Sequence, residues 1–201
     1  MKRFIYIMLA ICILFGSSAH IGVSDEIKLT HEERTTHIEE VKAELTSEVD
    51  LYIKHVAPTS RVSARHLVDE CHEYNVDIIF VLAQGTIESH FATKGIGGKI
   101  NSIFNVCVYD NIKSGNGVYK IHRYNHPDDS IEPYLRLLCE SYLVNGKTER
   151  DLLRNYVNIH GQRYASHPQY ESQLASVMKR IKRTTKIDSL NQKYRDIQIQ
   201  V

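Results

Sequence analysis

Apolar residues recur every three to four positions through residues 30–55, at Ile38, Val41, Leu45, Val49 and Tyr52, set among many charges. That period predicts a helix with one narrow buried stripe, lying as an extension against a following domain. "APTS" with Pro58 then breaks the chain, and Ser60 or Ser63 offers a cap. Val62, Leu67, Val68 and Cys71 mark the inward face of a second helix ending near residue 74. After the turn "NVD", residues 78–88 contain "IIFVLA" and are apolar nearly all round. In a chain of this kind such a segment is a helix enclosed by others, so this is the expected central element.

Helical periodicity fails from 91 to 124, where Gly95, Gly97, Gly98, Gly115 and Gly117 gather. "GIGG" reads as a loop, without the strand before it or the Lys-Ser or Lys-Thr after it that a phosphate cradle requires. "IFNVCVYD" and "GVYKIHRY" alternate around "NIKSGNG", which predicts a small β-hairpin. Asp129 or Ser130 is the expected cap of a helix to about residue 144, with Pro133 in its first turn and Tyr134, Leu135, Leu138 and Tyr142 inward. Thr148 opens a further helix with Leu152, Leu153, Tyr156 and Val157. Pro168 starts a long one with Tyr170, Leu174, Val177 and Ile181 on one face. Residues 184–201 lose the pattern and read as a tail.

The N-terminus adds an address. Lys2 and Arg3 precede an apolar run from Phe4 to Phe15, and Ser17 and Ala19 supply small residues before a cut, so residues 1–19 read as a cleavable signal peptide. The run is short against the roughly 30 Å of hydrocarbon that a stable anchor must cross. Export to the periplasm or the extracellular space follows, with no membrane anchor after cleavage. The division expected is a leader (1–19), a helical extension (20–50), one compact domain (51–183) and a tail (184–201), in a chain of 201 residues. Nothing in it requires more than a monomer.

Composition removes several classes of function. Lys and Arg number 25 against 24 Asp and Glu, so no basic field gathers nucleic acid. Cleavage leaves Cys71, Cys107 and Cys139, an odd set that allows at most one disulfide, with Cys71 and Cys139 on apolar helix faces. There is no H-E-x-x-H, C-x-x-C or G-x-S-x-G, so neither a metal, another cofactor nor an acyl-transfer serine is expected.

The candidate chemistry lies in "AQGTIESHFATKG", where the apolar run turns polar at Glu88. A carboxylate at the C-terminal end of a helix meets the negative end of its dipole, and Ile87 and Phe91 add desolvation. Both favour the protonated carboxyl that a general acid needs to protonate a glycosidic oxygen. Taken alone, Glu88 could equally end the helix and face water.

Its neighbours extend the pattern. "LAQGTIESHFATKG", then "NSIFNV", then "RYASHPQYESQL" resemble the glucosaminidase domain of glycoside hydrolase family 73, related in fold to lysozyme and the lytic transglycosylases. That family shows A-Q-x-x-x-E-S-x-aromatic-G-T, N-N-x-F-G and Y-A-T-D-P-x-Y in this order, and the resemblance covers about residues 51–181. It implies a mainly helical α+β, lysozyme-like domain with a small β-hairpin lobe, acting on N-acetylglucosaminyl bonds of peptidoglycan strands. It implies Glu88 as general acid, Tyr164 as the tyrosine facing the cleft, and Gln84, Ser89, Phe91, Asn101, Phe104 and Tyr170 as groove residues. Three positions depart from the pattern, with His90, Ala92 and Asn105 standing where the family has glycine. The second carboxylate expected on the hairpin lobe is Asp110, while Asp128, Asp129 and Glu132 have capping or dipole roles at a helix start. Without Asp110, the 2-acetamido group of the substrate could act as nucleophile. A muramidase, a lytic transglycosylase and a non-catalytic wall-binding or assembly module remain alternatives on the same fold.

Overall fold

The computed structural model describes residues 31–106 and 123–199, apart from 155, 162 and 166. The expected hairpin falls largely on 107–122, so it lies outside the described residues, as do Asp110 and Cys107.

The described chain is mainly helical. Helix α1, His31–Val56, follows the stripe predicted for it, burying Val41, Leu45, Val49, Tyr52 and Ile53. Helix α2, Ala64–Glu73, is capped by Ser63, whose Oγ accepts from His66 N, and buries Ala64, Leu67, Val68 and Cys71. Helix α3, Ile78–Glu88, starts at Asp77, whose carboxylate accepts from Ile79 N. Every residue from 78 to 86 is buried, because α2, α7 and α8 all pack on it. The continuous apolar run is thus the centre of the core, as its lack of a polar face required.

Four expectations are corrected. "GIGG" is not a loop: Gly95–Ile100 is a short helix, α4, closed by Asn101 in the left-handed conformation at φ 52°. The segment predicted as one helix to about 144 changes pitch twice, from a 3₁₀ turn (Pro127–Ser130) to α5 (Ile131–Leu137) and then a π-helical turn (Leu138–Tyr142). Of the two expected caps, Ser130 is the N-cap residue of α5 but makes no side-chain capping bond there; His126 starts the 3₁₀ turn, and Asp129 accepts from the His126 N–H. Helix α6 is a single turn, Glu149–Leu152, and Val157 instead forms an isolated antiparallel bridge with Arg163.

The fourth correction concerns the C-terminal segment. After α7, Tyr170–Thr184, the chain does not trail away but forms α8, Ile187–Ile199, which packs along α1. Ile187, Leu190, Asn191 and Tyr194 are buried. Tyr194 stacks on His72 of α2 at 4.1 Å between ring centroids, and Asn191 Oδ1 lies 3.0 Å from His72 Nε2. No helix among the described residues is long and apolar enough to cross a membrane.

Candidate active site

The end of α3 is shaped by an unusual turn. After Glu88 and its C-cap Ser89, His90, Phe91 and Ala92 take φ values of 48°, 51° and 59° in succession. This left-handed turn folds the chain back so that Phe91 N bonds to Gly85 O at 2.9 Å and the Phe91 ring slides beneath α3. Gly85 makes room for that ring, since a Cβ there would stand 2.8 Å from it. Ser89 ties the turn together: its hydroxyl donates to Ile103 O and accepts from Ala92 N, both at 2.7 Å. With the turn fixed in this way, the Glu88 side chain projects from the last turn of α3 into a cleft.

The cleft has a volume of about 390 Å³ and brings together residues from four parts of the chain. Gln84 and Glu88 come from α3, and Phe104 and Asn105 from the segment after α4. Tyr134 and Tyr142 come from α5 and its π turn, and Tyr164 and Tyr170 from the loop before α7 and its first residue. Glu88 Oε1 accepts from the Tyr170 hydroxyl at 2.5 Å. Its Oε2 lies 3.2 Å from Asn105 Nδ2, which also bonds the Glu88 backbone oxygen at 2.7 Å. The Phe104 ring stacks on Tyr134 at 3.8 Å, and the two buried rings back the cleft.

Behind Glu88 a polar chain orients Tyr164. The Tyr134 hydroxyl donates to Gln84 Oε1 at 2.7 Å, which turns the Gln84 amide so that its Nε2 donates to the Tyr164 oxygen. The Tyr164 O–H is left to donate toward the cleft or, across 3.4 Å, to Tyr134. Burial pushes the Tyr164 and Tyr170 phenols well above the ordinary tyrosine range, and neighbouring acidic groups, Glu88 among them, push the same way. Both therefore remain protonated donors across the physiological range. The loop carrying Tyr164 is held by Tyr164 N to Tyr156 O at 3.1 Å and by the ion pair of Arg163 with the buried Glu171 at 3.0 Å.

Of the residues singled out from the sequence, Glu88, Gln84, Tyr164, Phe104 and Tyr170 meet at this cleft. Three others do not. Phe91 is fully buried in the core, edge-on to Tyr52 at 6.1 Å, because the left-handed turn points its ring inward. Ser89 is 2% exposed and spends its hydroxyl on backbone. Asn101 bonds Tyr124 O, Asn125 O and the Arg61 guanidinium, joining α4 to the returning chain away from the cleft. Asp128, Asp129 and Glu132 hold Ser63 N, His126 N and the Tyr74 hydroxyl respectively, all structural roles. Missed from the sequence were Asn105, Tyr134 and Tyr142. The last two were placed on an inward helix face, where the phenols themselves were the signal, since a buried hydroxyl needs a polar partner.

A larger cavity of about 680 Å³ lies between α1, α7 and the turn after α3, lined by Tyr52, His55, Thr86, His90, Lys94 and Arg180 among others. The cleft, not this cavity, is the better candidate despite its size. The cavity contains neither Glu88 nor Tyr164, and its basic residues come from the last turn of α1 (His55), the N-cap of α4 (Lys94) and the body of α7 (Arg180). Among the described residues no group of three or more His, Cys, Asp or Glu side chains converges as a metal site.

No curated protein and no solved structure matches the chain. Residues 64–183, more than half of it, do match the model of the glucosaminidase family, described as mannosyl-glycoprotein endo-beta-N-acetylglucosaminidase. That segment runs from the start of α2 to the end of α7 and contains every described residue of the cleft. With an end-of-helix carboxyl set among protonated phenols at the heart of the matched segment, the chain belongs to the glucosaminidase family of glycosidases.

Proposed function

We propose that this protein is an exported peptidoglycan hydrolase that cleaves N-acetylglucosaminyl bonds, with Glu88 as the general acid. The observation that carries the reading is the Glu88 carboxyl, projecting into a tyrosine-lined cleft and held through both oxygens by Tyr170 and Asn105. A sugar ring occupies the tyrosine-lined cleft, and Glu88 passes its proton to the glycosidic oxygen as the bond to C1 breaks. Tyr164 donates its O–H to substrate as charge develops there.

Two routes supply the group that attacks C1. In one, Asp110 is the partner carboxylate. In the other, the carbonyl oxygen of the substrate's 2-acetamido group attacks C1 as the leaving oxygen takes the Glu88 proton. Water then opens the resulting ring, with the Glu88 carboxylate receiving its proton. Among the described lining residues Glu88 is the single carboxylate, so it serves as acid in both routes.

Digestion of purified peptidoglycan followed by mass spectrometry of the new reducing ends tests the assignment. Reducing-end N-acetylglucosamine is the expected product. Reducing-end muramic acid would make the protein a muramidase, anhydromuramic acid a lytic transglycosylase, and no product a wall-binding module. Glu88→Gln is expected to lower the rate by about 10²- to 10⁴-fold with an unchanged unfolding midpoint. Asp110→Asn separates the two routes, since only the first loses activity with it. Export is read from the leader, so the mature protein is expected to begin near residue 20; mature protein retaining Met1 would refute it.

A further inference from the structure

We infer that Asn105 is a positioning residue for the general acid, holding Glu88 Oε2 through a hydrogen bond that strengthens as the proton leaves. The inference rests on the general-acid reading above and assigns a second residue to it. Asn105 Nδ2 reaches two atoms of Glu88, the backbone oxygen at 2.7 Å and Oε2 at 3.2 Å. The first bond satisfies a carbonyl that the end of α3 leaves without a helical partner.

The second bond has no such structural necessity. Tyr170 already occupies Oε1 at 2.5 Å, so Oε2 is the oxygen left to carry the transferable proton into the cleft. While Glu88 is a neutral acid, the amide contact at 3.2 Å is weak. Once the proton has passed to the glycosidic oxygen, Oε2 belongs to a carboxylate, and hydrogen bonds to charged groups are about twice as strong as neutral ones. An interaction that tightens along the reaction lowers the barrier instead of merely binding substrate.

Two costs are tolerated to keep the amide there. Asn105 sits in the left-handed region at φ 52°, which glycine occupies without strain. Its Oδ1 is buried with no hydrogen-bond partner among the described residues, while its nitrogen faces Glu88. The approach also needs Gly97 to have no side chain, because a Cβ there would stand 2.7 Å from that Oδ1. A glycine at 105 would carry neither cost and would make neither bond to Glu88.

Steady-state kinetics of Asn105→Gly on peptidoglycan fragments tests this, with thermal unfolding alongside. The expected result is kcat lowered about tenfold, KM within about twofold of the parent, and a melting midpoint held or raised. Asn105→Asp keeps the shape but removes the donor, and its kcat is expected to fall at least as far. Unchanged kcat in Asn105→Gly would overturn the proposal, as would a lower melting midpoint with full activity per folded molecule, which marks a helix cap alone. If Glu88→Gln stays active, the general-acid reading fails and this proposal with it. If Glu88→Gln is inactive while Asn105→Gly is fully active, this proposal alone fails.

Discussion

His90, Ala92 and Asn105, the three residues that stand where the resembled family has glycine, all hold positive φ, at 48°, 59° and 52°. A left-handed backbone costs a residue with a Cβ about 1–2 kcal/mol, against a partly offsetting gain from a less flexible unfolded chain. Ala92 sets only one part-buried methyl, packed against the core, against that cost, so Ala92→Gly is expected to raise stability by up to about 1 kcal/mol, read as a higher urea midpoint. Tyr164→Phe is expected to keep the fold and lower activity, since the ring retains its edge contact with Tyr142 while the donor into the cleft is lost. A sharp fall in melting temperature with full activity per folded molecule would make Tyr164 a core residue instead. Glu88, Tyr164 and Phe104 were legible because motif spacing fixes their order along the chain. The burial of Ser89 and Phe91 was not, because nothing in their identity announces a three-residue left-handed turn. Asn105 was visible only as a departure; its reach to Glu88 depends on contacts 17 residues apart.

At the scale of the element, legibility followed the strength of the apolar period. Helix α3 was plain because its run has no polar side, and α1 and α2 because their stripes repeat. Helix α4 was invisible: three glycines in six residues argue against a helix on propensity. Packing overrides propensity there, as Gly97 lies so close to the segment after it that a Cβ would stand 2.4 Å from Ser102 O and 2.5 Å from Ser89 Cβ. Gly97→Ala is therefore expected to destabilise by about 1–3 kcal/mol and to disturb Glu88 through Ser89 and Asn105, measured as lower melting temperature and lower activity together. The change from α to π pitch at Leu138 also left no mark in the sequence, yet it carries Tyr142 to the cleft.

For the molecule as a whole, the two helices outside the family-matched segment, α1 and α8, pack on each other. The expected tail is thus part of the core. Burying Ile187, Leu190 and Tyr194 is worth about 1.5–3 kcal/mol per side chain, a total comparable with the stability of a whole domain. A chain ending at residue 184 is expected to lose its cooperative unfolding transition. The same contact gives stability a dependence on pH. Burial holds His72 below the ordinary imidazole range, and among the described residues its buried Nδ1 has no partner that could accept a second N–H. The unfolded chain therefore takes up the proton more readily; this part of the stability is complete above about pH 6.5 and declines as the pH falls below it. Urea midpoints at about pH 7.5 and about pH 5 are expected to differ more for the parent than for His72→Phe, which keeps the stacking and removes the titration.

The pairing of α1 with α8 also sets an order of events during synthesis. The inward stripe of α1 emerges from the ribosome early, whereas the surface that covers it is made only after α7. Until then the stripe of Val41, Leu45 and Val49 has α2 but not α8 to pack against, and the early chain carries uncovered apolar surface. A polypeptide that covers this stripe only once α8 has been made carries open apolar surface, and with it a risk of aggregation, through most of its synthesis.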